Sequence, residues 1–242
     1  VDDDGGAGTV LSVRTVAETG STNADLLAAS TEGAPEGAWL RAERQTAGRG
    51  RMGRTWADAT GNLFASTIVR LRLDDPVAPS LALVAAVALH AAIDSVLPGR
   101  AAIKWPNDLM IDGAKLSGIL LERSGEAVVV GFGVNLAMAP VVPGRRTICL
   151  ADQGVRMAPD DMLDRLRASF AHWLAEWRRA GANGICDAWM RAAHPVGASL
   201  RVSLPDGTRT EGTFAGLDPS GALLLAQGGG AVRTIHAGDV DA

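Results

Sequence analysis

Seven residues, Gly48-Arg49-Gly50-Arg51-Met52-Gly53-Arg54, restrict the fold of this chain more than any other stretch. Their glycines spell GxGxxG, which in a dinucleotide-binding fold follows a buried strand and opens a helix. Here Glu43-Arg44-Gln45-Thr46 comes before, and Arg54-Thr55-Trp56-Ala57-Asp58 and Ala59-Thr60-Gly61-Asn62 come after. Neither flank fits, so a doubly wound dinucleotide fold is set aside. The segment reads instead as a mobile anion-binding loop. Backbone N–H groups can approach closely where Cβ is missing, and guanidinium forks suit a phosphate or carboxylate.

Arginines crowd around this loop (Arg41, Arg44, Arg49, Arg51, Arg54) in a chain whose net charge is −4. The positive field is therefore expected at one site, which argues against a general nucleic-acid binder with a basic face. With 242 residues and 47% hydrophobic content, the chain can bury a sizeable core as one large domain or a domain with a small appendage. Cys149 and Cys186 lie far apart and outside any CxxC spacing. They are expected as buried thiols of a cytosolic protein, with a structural disulfide as the alternative. The acidic start, Val1-Asp2-Asp3-Asp4-Gly5-Gly6, reads as flexible and is the opposite of a signal peptide's basic n-region. The longest apolar run, Leu81 to Val96, carries His90 and Asp94 and is too short to cross a bilayer. A soluble, cytoplasmic protein with no membrane partner is expected.

Periodicity gives the order of elements. Val10 to Val16 alternates like an edge strand, and Ser, Thr or Asn in Gly20-Ser21-Thr22-Asn23 would cap a helix beginning near Ala24. Trp39–Glu43 and Asn62–Leu71 read as strands, the second of them central. Pro79–Val96 reads as a helix. Leu116–Glu122 and Ala127–Val134 are apolar strands, and Pro106 holds Trp105 extended in Lys104-Trp105-Pro106-Asn107-Asp108. Pro159–Ala180 is an amphipathic helix with Met162, Leu163, Leu166, Phe170, Trp173, Leu174 and Trp177 on one stripe, and a second helix spans about Gly184–Ala193. After His194-Pro195 the texture becomes short strands around Pro205-Asp206-Gly207 and Gly228-Gly229-Gly230. Domains are thus expected at 1–194 and 195–242.

Polar clusters stand at strand ends and loops of this apolar body: Ser21-Thr22-Asn23, Gln45 with Arg49 and Arg51, Lys104 to Asp108, Lys115-Leu116-Ser117-Gly118, and Gly131-Phe132-Gly133-Val134-Asn135. Singly, each has a plain structural explanation: a cap, a turn, a surface lysine or packing glycines. His90, His172, His194 and His236 are dispersed, without the spacing of a zinc site. No GxxxxGK[ST] occurs, so a nucleotide would not be held by a Walker loop.

Taken together and in order, these motifs resemble the biotin protein ligase family. The matching segments are Gly20-Ser21-Thr22-Asn23, Gln45 to Arg54, Trp56, Lys104 to Asp108, Lys115 to Glu122 and Gly133-Val134-Asn135, within a resemblance running over about residues 10 to 240. The resemblance implies an α+β fold: a mixed β-sheet flanked by helices, class II synthetase-like, with a small C-terminal SH3-like β-barrel. It implies an enzyme that joins biotin to ATP, giving biotinyl-5′-AMP and pyrophosphate. The biotinyl group then passes to one lysine of the biotin carrier domain of acetyl- or propionyl-CoA carboxylase.

Residue by residue, the resemblance points to Ser21, Thr22, Asn23 and Gln45, with Arg49, Gly50, Arg51, Lys115 and Gly118, for biotin. Each unpaired polar atom of a buried ureido ring would cost about 1–3 kcal/mol. Arg49, Arg51 and Lys115 are the cations that would offset repulsion between carboxylate and α-phosphate. A carboxylate is already a nucleophile at pH 7, so no general base is needed. Arg51, Trp56, Asn107 and Asn135 are expected at ATP, Trp56 stacking on adenine, and Asp108 at Mg²⁺. The glycine loop would also shield the reactive mixed anhydride from water.

A lipoate or octanoate ligase or transferase is the alternative. No cysteine nucleophile lies near the motifs, however, and a plain fatty arm would leave Ser21–Asn23 and Gln45 little to bind. Some family members carry a DNA-binding domain. Only a short tail precedes Gly20 here, so nucleic-acid binding is not expected. A non-enzymatic biotin-binding module would leave Arg49, Arg51, Lys115 and Asp108 without a purpose. Monomer and homodimer both stay open.

Overall fold

The structure, a computed structural model, describes residues 13–241, without the side chain of Asp241. The acidic residues 1–6 and the first part of the expected strand at 10–16 lie outside the described residues. In chain order the elements are β1 (Val13–Thr19), α1 (Thr22–Thr31), β2 (Trp39–Gln45), β3 (Leu63–Arg70), α2 (Leu81–Asp94), β4 (Ala102–Lys104), β5 (Asp108–Ile111), β6 (Ala114–Ser124), β7 (Ala127–Val134), α3 (Pro159–Ala180) and α4 (Ala182–Arg191). Five further strands follow: β8 (Ser199–Ser203), β9 (Arg209–Leu217), β10 (Leu223–Ala226), β11 (Val232–Ile235) and β12 (Asp239–Asp241).

Seven strands form one mixed sheet in the order β1-β2-β3-β7-β6-β5-β4. β1 pairs with β2 in parallel, and every other neighbour is antiparallel. The sequence explains who sits where. β3 is apolar or hydroxylic up to its last residue, Arg70, and buried along almost its whole length, so it is central. β1 presents an exposed, charged face and lies at the edge. β4 and β5 form a hairpin around Trp105-Pro106-Asn107, too short to stand out in the sequence pattern.

One face of the sheet carries α2, α3 and α4. On α3, Met162, Leu163, Leu166, Phe170 and Trp177 are buried, with Trp173 and Leu174 partly so, in the expected stripe. Pro159 opens α3, Asp160 and Asp161 lie in its first turn, and Arg178 and Arg179 in its last, all matched to the helix dipole. Gly181 at φ +79° ends α3 and starts α4 at once. The second helix therefore begins two residues earlier than Gly184, which lies inside it. Trp39, Phe132 and Phe170 pack at 5.8–6.0 Å between ring centroids. Trp177 is fully buried and donates its indole N–H to Ser80 Oγ at 2.8 Å. Replacing it with alanine would cost about 3–5 kcal/mol.

Among the described residues the opposite face carries only α1, whose Leu26 packs with Leu40, Ile68, Ala127 and Val129 of the sheet. This helix is ten residues long, about 15 Å, and leaves part of the sheet uncovered beyond its N-terminus. There the floor is made of Gly131, Gly133 and Gly118, with Gly133 the register partner of Gly118 across β7 and β6. Small side chains on an uncovered sheet face make a hollow.

The C-terminal strands form a separate antiparallel sheet in the order β11-β10-β9-β8-β12, consistent with an SH3-like domain. Leu200, Val202, Phe214, Leu223, Leu225, Ile235 and Val240 join the main core. Trp105 donates its indole N–H to the carbonyl of Gly221 at 3.0 Å, linking the β4–β5 hairpin to this sheet. Both cysteines are buried and free, so the disulfide alternative falls. Among the described residues no helix is long and apolar enough to cross a membrane.

Candidate active site

Strand pairing brings the dispersed motifs together. The β1–β2 pairing continues past both strands: Thr46 N–H donates to Thr19 O at 2.9 Å and Ala47 N–H to Gly20 O at 2.8 Å. That sets Gly20 to Asn23 beside Gln45 to Gly48. Across β5 and β6, Asp108 is opposite Gly118, and Gly118 is opposite Gly133. The result is a cavity of about 370 Å³ over the glycine floor, within the usual range for small-molecule sites. Ser21, Thr22, Asn23 and Gln45 line it; so do Arg49, Gly50, Arg51 and Trp56 from the loop, and Asn107, Asp108, Lys115, Gly118 and Asn135 from the hairpin and strand ends. Every residue expected at the site is there.

One end is neutral. Ser21 caps α1, accepting from Ala24 N–H at 3.5 Å. Gln45 Oε1 accepts from Thr22 N–H at 2.8 Å and from Thr22 Oγ1 at 3.1 Å. Thr22 Oγ1 lies 2.7 Å from Ser66 Oγ, and Ser66 Oγ donates to Asn23 Oδ1 at 2.6 Å. Asn23 Nδ2 donates to Glu122 Oε2 at 2.9 Å and to Leu120 O at 3.3 Å. Two hydroxyl protons thus serve three contacts: Thr22 to Gln45, Thr22 to Ser66, and Ser66 to Asn23. One contact is always short of a proton, and a buried network of this kind favours a ligand that brings N–H donors. Gly131 makes the slot for Asn23, since a Cβ there would stand 2.1 Å from Asn23 Oδ1.

The other end is charged. Lys115 Nζ pairs with Asp108 Oδ1 at 2.5 Å, both largely buried, and sits 5.3 Å from the centre of the Trp56 ring. Burial pulls the Lys115 ammonium below its ordinary range, and Asp108 opposes the shift. The Trp56 indole lies against the floor, where a Cβ on Gly133 would come within 2.4 Å of it. Arg51 donates to Asn107 Oδ1 at 3.2 Å and to Gly238 O at 3.3–3.4 Å, and lies 3.7 Å from Asp239. Burial lowers its pKa too, with Asp239 opposing. Arg54 pairs with Asp239 at 3.0 Å. Burial alone would raise the Asp239 carboxyl, but Arg54, Arg51 and Arg145 together hold it below the usual range. Arg49 pairs with Glu122 Oε1 at 3.0 Å. Asn135 Nδ2 donates to Ile148 O at 3.1 Å, pinning the segment after β7.

Two expectations are corrected. Arg41 and Arg44 do not join the positive site. Arg41 reaches Asp160 at the start of α3, and Arg44 lies between Glu18 of β1 and Asp58. Arginines close in sequence fan out to whichever carboxylates neighbouring elements offer, and only the loop arginines turn inward. Arg54, expected in that field, does line the cavity. Sequence reasoning missed four groups at the site: Ser66 and Glu122 complete the hydrogen-bond network, and Arg145 and Asp239 line the cavity. A hydroxyl in the middle of a central strand was a usable signal for Ser66. Nothing local signals Asp239, which arrives only through the fold. Among the described residues no cluster of three His, Cys, Asp or Glu side chains could hold a metal ion.

Comparisons with known proteins agree on one family. The model described as the biotin/lipoate A/B protein ligase family matches residues 19–137, and that of the biotin protein ligase C-terminal domain matches residues 200–241. A biotin–[acetyl-CoA-carboxylase] ligase of Mycobacterium tuberculosis is 40% identical over 234 residues, 93% of this chain and 86% of the relative. One from Paracoccus denitrificans is 39% identical over 223 residues, 87% of this chain and 92% of the relative. Among solved structures, the Aquifex aeolicus biotin protein ligase in complex with biotin and ATP has the same fold, with TM-score 0.83 at 23% identity over 95% of this chain and 97% of that one. With two curated relatives near 40% identity over most of their length, and the cavity built from the residues that carry the resemblance, this chain belongs to the biotin protein ligase family.

Proposed function

We propose that this protein activates biotin with ATP to biotinyl-5′-AMP and transfers the biotinyl group to a lysine of a carboxylase biotin carrier domain. The observation that carries the reading is the division of one cavity into a neutral, proton-short end and a cationic end. Biotin has the matching halves: a ureido ring with N–H donors and a carboxylate. Ser21, Thr22, Asn23 and Gln45 receive the ureido ring, and Leu120 flanks the valeryl arm.

In the first step a biotin carboxylate oxygen attacks the α-phosphorus of ATP and pyrophosphate leaves. Arg51, Lys115 and Arg49 face the two anions and offset charge developing on the transferring group. Asp108, which pairs with Lys115, would help to hold Mg²⁺ brought in with the nucleotide, and the ion would neutralise polyphosphate charge. Trp56 offers its ring to adenine, with Asn107 and Asn135 beside it. In the second step the carrier's lysine amine attacks the acyl carbon; the acyl–phosphate bond breaks, AMP leaves, and the amide forms. The Gly48–Arg54 loop, bridged to itself between Arg49 and Thr55, covers the anhydride until then. The work divides at residue 194/195, with chemistry in 1–194 and site closure by Asp239 of the C-terminal sheet. The protein acts in the cytoplasm, apart from membranes and nucleic acid.

The test mixes the protein with Mg·ATP, a biotin carrier domain and either biotin or lipoate, and weighs the carrier by intact mass spectrometry. A mass gain with biotin alone is expected. A gain with lipoate alone would move the protein to the sister enzymes of its family, and no gain with either would overturn the ligase reading.

A further inference from the structure

The hydrogen bonds of the neutral end form a chain that starts and finishes in one short stretch of sequence. From Gln45 they run through Thr22, Ser66, Asn23 and Glu122 to Arg49, four residues from the start. Glu122 is the link between the helix-cap residues and the glycine–arginine loop. Along β6, side chains alternate, so Glu122 faces the same side as Leu120 and the cavity residue Gly118. Each of its oxygens has its own partner, Asn23 Nδ2 at 2.9 Å and Arg49 at 3.0 Å.

We infer that Glu122 is a positioning residue for the substrate: it fixes the orientation of the Asn23 amide and the place of Arg49 together. The inference rests on the ligase reading for the identity of the ligand. A carboxylate accepts and never donates, so Asn23 must turn its NH₂ toward Glu122 and its oxygen toward Ser66. That orientation makes the network short of a proton and receptive to N–H donors. Arg49 is 43% exposed, and an ion pair so open to water adds little to stability. The effect of Glu122 therefore lies in geometry. A glutamine at 122 can donate or accept, so it would satisfy Asn23 in either orientation and release the Arg49 cation.

The test measures pyrophosphate release and melting temperature for the unaltered chain, Glu122→Gln, Arg49→Ala and the double variant. For Glu122→Gln the expected result is a KM for biotin raised about tenfold, a KM for ATP within about twofold, and melting within about 2 °C of the unaltered chain. The double variant should lose less than the product of the two single effects, because part of the effect of Glu122 acts through Arg49. Glu122→Asp, too short to reach both partners, should behave as Glu122→Gln while keeping its charge. An unchanged KM for biotin, effects that multiply in the double variant, or a melting loss that accounts for the kinetic change would overturn the role of Glu122. Absence of biotin-dependent release from the unaltered chain would instead overturn the ligase reading.

Discussion

The two ends of the cavity are built on opposite plans. At the neutral end the side chains of Thr22, Asn23, Gln45 and Ser66 are at most 7% exposed and bind one another across three elements. At the cationic end, Lys115, Arg51 and Arg54 each already hold a carboxylate, Asp108 or Asp239. Neutral groups can be buried in a fixed pattern because each needs only hydrogen bonds. Buried cations need a counter-charge, so a phosphate arriving here exchanges with a carboxylate and does not fill a void. In the proposed reaction, selection by pattern and catalysis by exchange would thus occupy separate halves of one hollow.

Four experiments press on that contrast. Lys115→Ala should have the largest effect, lowering adenylate formation about 10²–10³-fold, in the range for removing one stabiliser of transition-state charge; rapid-quench assay of biotinyl-AMP checks it. Arg51→Gly removes the bond to Gly238 as well as a cation. It should still form biotinyl-AMP but release it, so that bystander proteins added to the reaction gain biotin; loss of adenylate formation alone would show that the loop has no shielding task. Thr22→Val should raise the KM for biotin about tenfold and leave that for ATP unchanged, as expected for about 1–2 kcal/mol from a lost buried hydrogen bond. An equal change in both constants would break the division into halves.

The smallest effect at neutral pH concerns titration. Burial lowers the Lys115 pKa, so its charge is lost at a lower pH than for an ordinary lysine, and activity should fall on the alkaline side accordingly. Asp108 favours the ammonium, so Asp108→Asn should move that alkaline limb to still lower pH. A pH profile of kcat/KM reads this directly. Movement toward higher pH would mean another group sets the limb.

How much was legible in the sequence differs between the same two halves. Three of the cationic residues stand in one compact run, Gly48 to Arg54, where composition alone points to an anion, whereas Lys115 on its own looks like a surface lysine. The long α3 and the central β3 were equally plain, because periodicity and apolar content extend over many residues. The neutral network was half visible. Ser21 to Asn23 look like any helix cap, and Ser21 is one, while the hydroxyl in the middle of β3 was the one signal for Ser66. Asp239 and the partners of Arg41 and Arg44 were invisible, because they depend on which elements meet across 100 residues or more or on which acid lies nearest. Gly131 and Gly133 are packing glycines and site glycines at once, since what they pack against is Asn23 and Trp56.

Trp56 has a practical consequence. Of the six tryptophans, it lines the cavity and lies beside the Lys115 ammonium; Trp39, Trp105, Trp177 and Trp189 are buried in the core, and Trp173 belongs to α3. In the proposed reaction the nucleotide meets this indole, and its emission should then change as the site fills. The protein therefore carries its own optical gauge of occupancy, and the order in which its two substrates arrive can be followed by stopped-flow without attaching a dye.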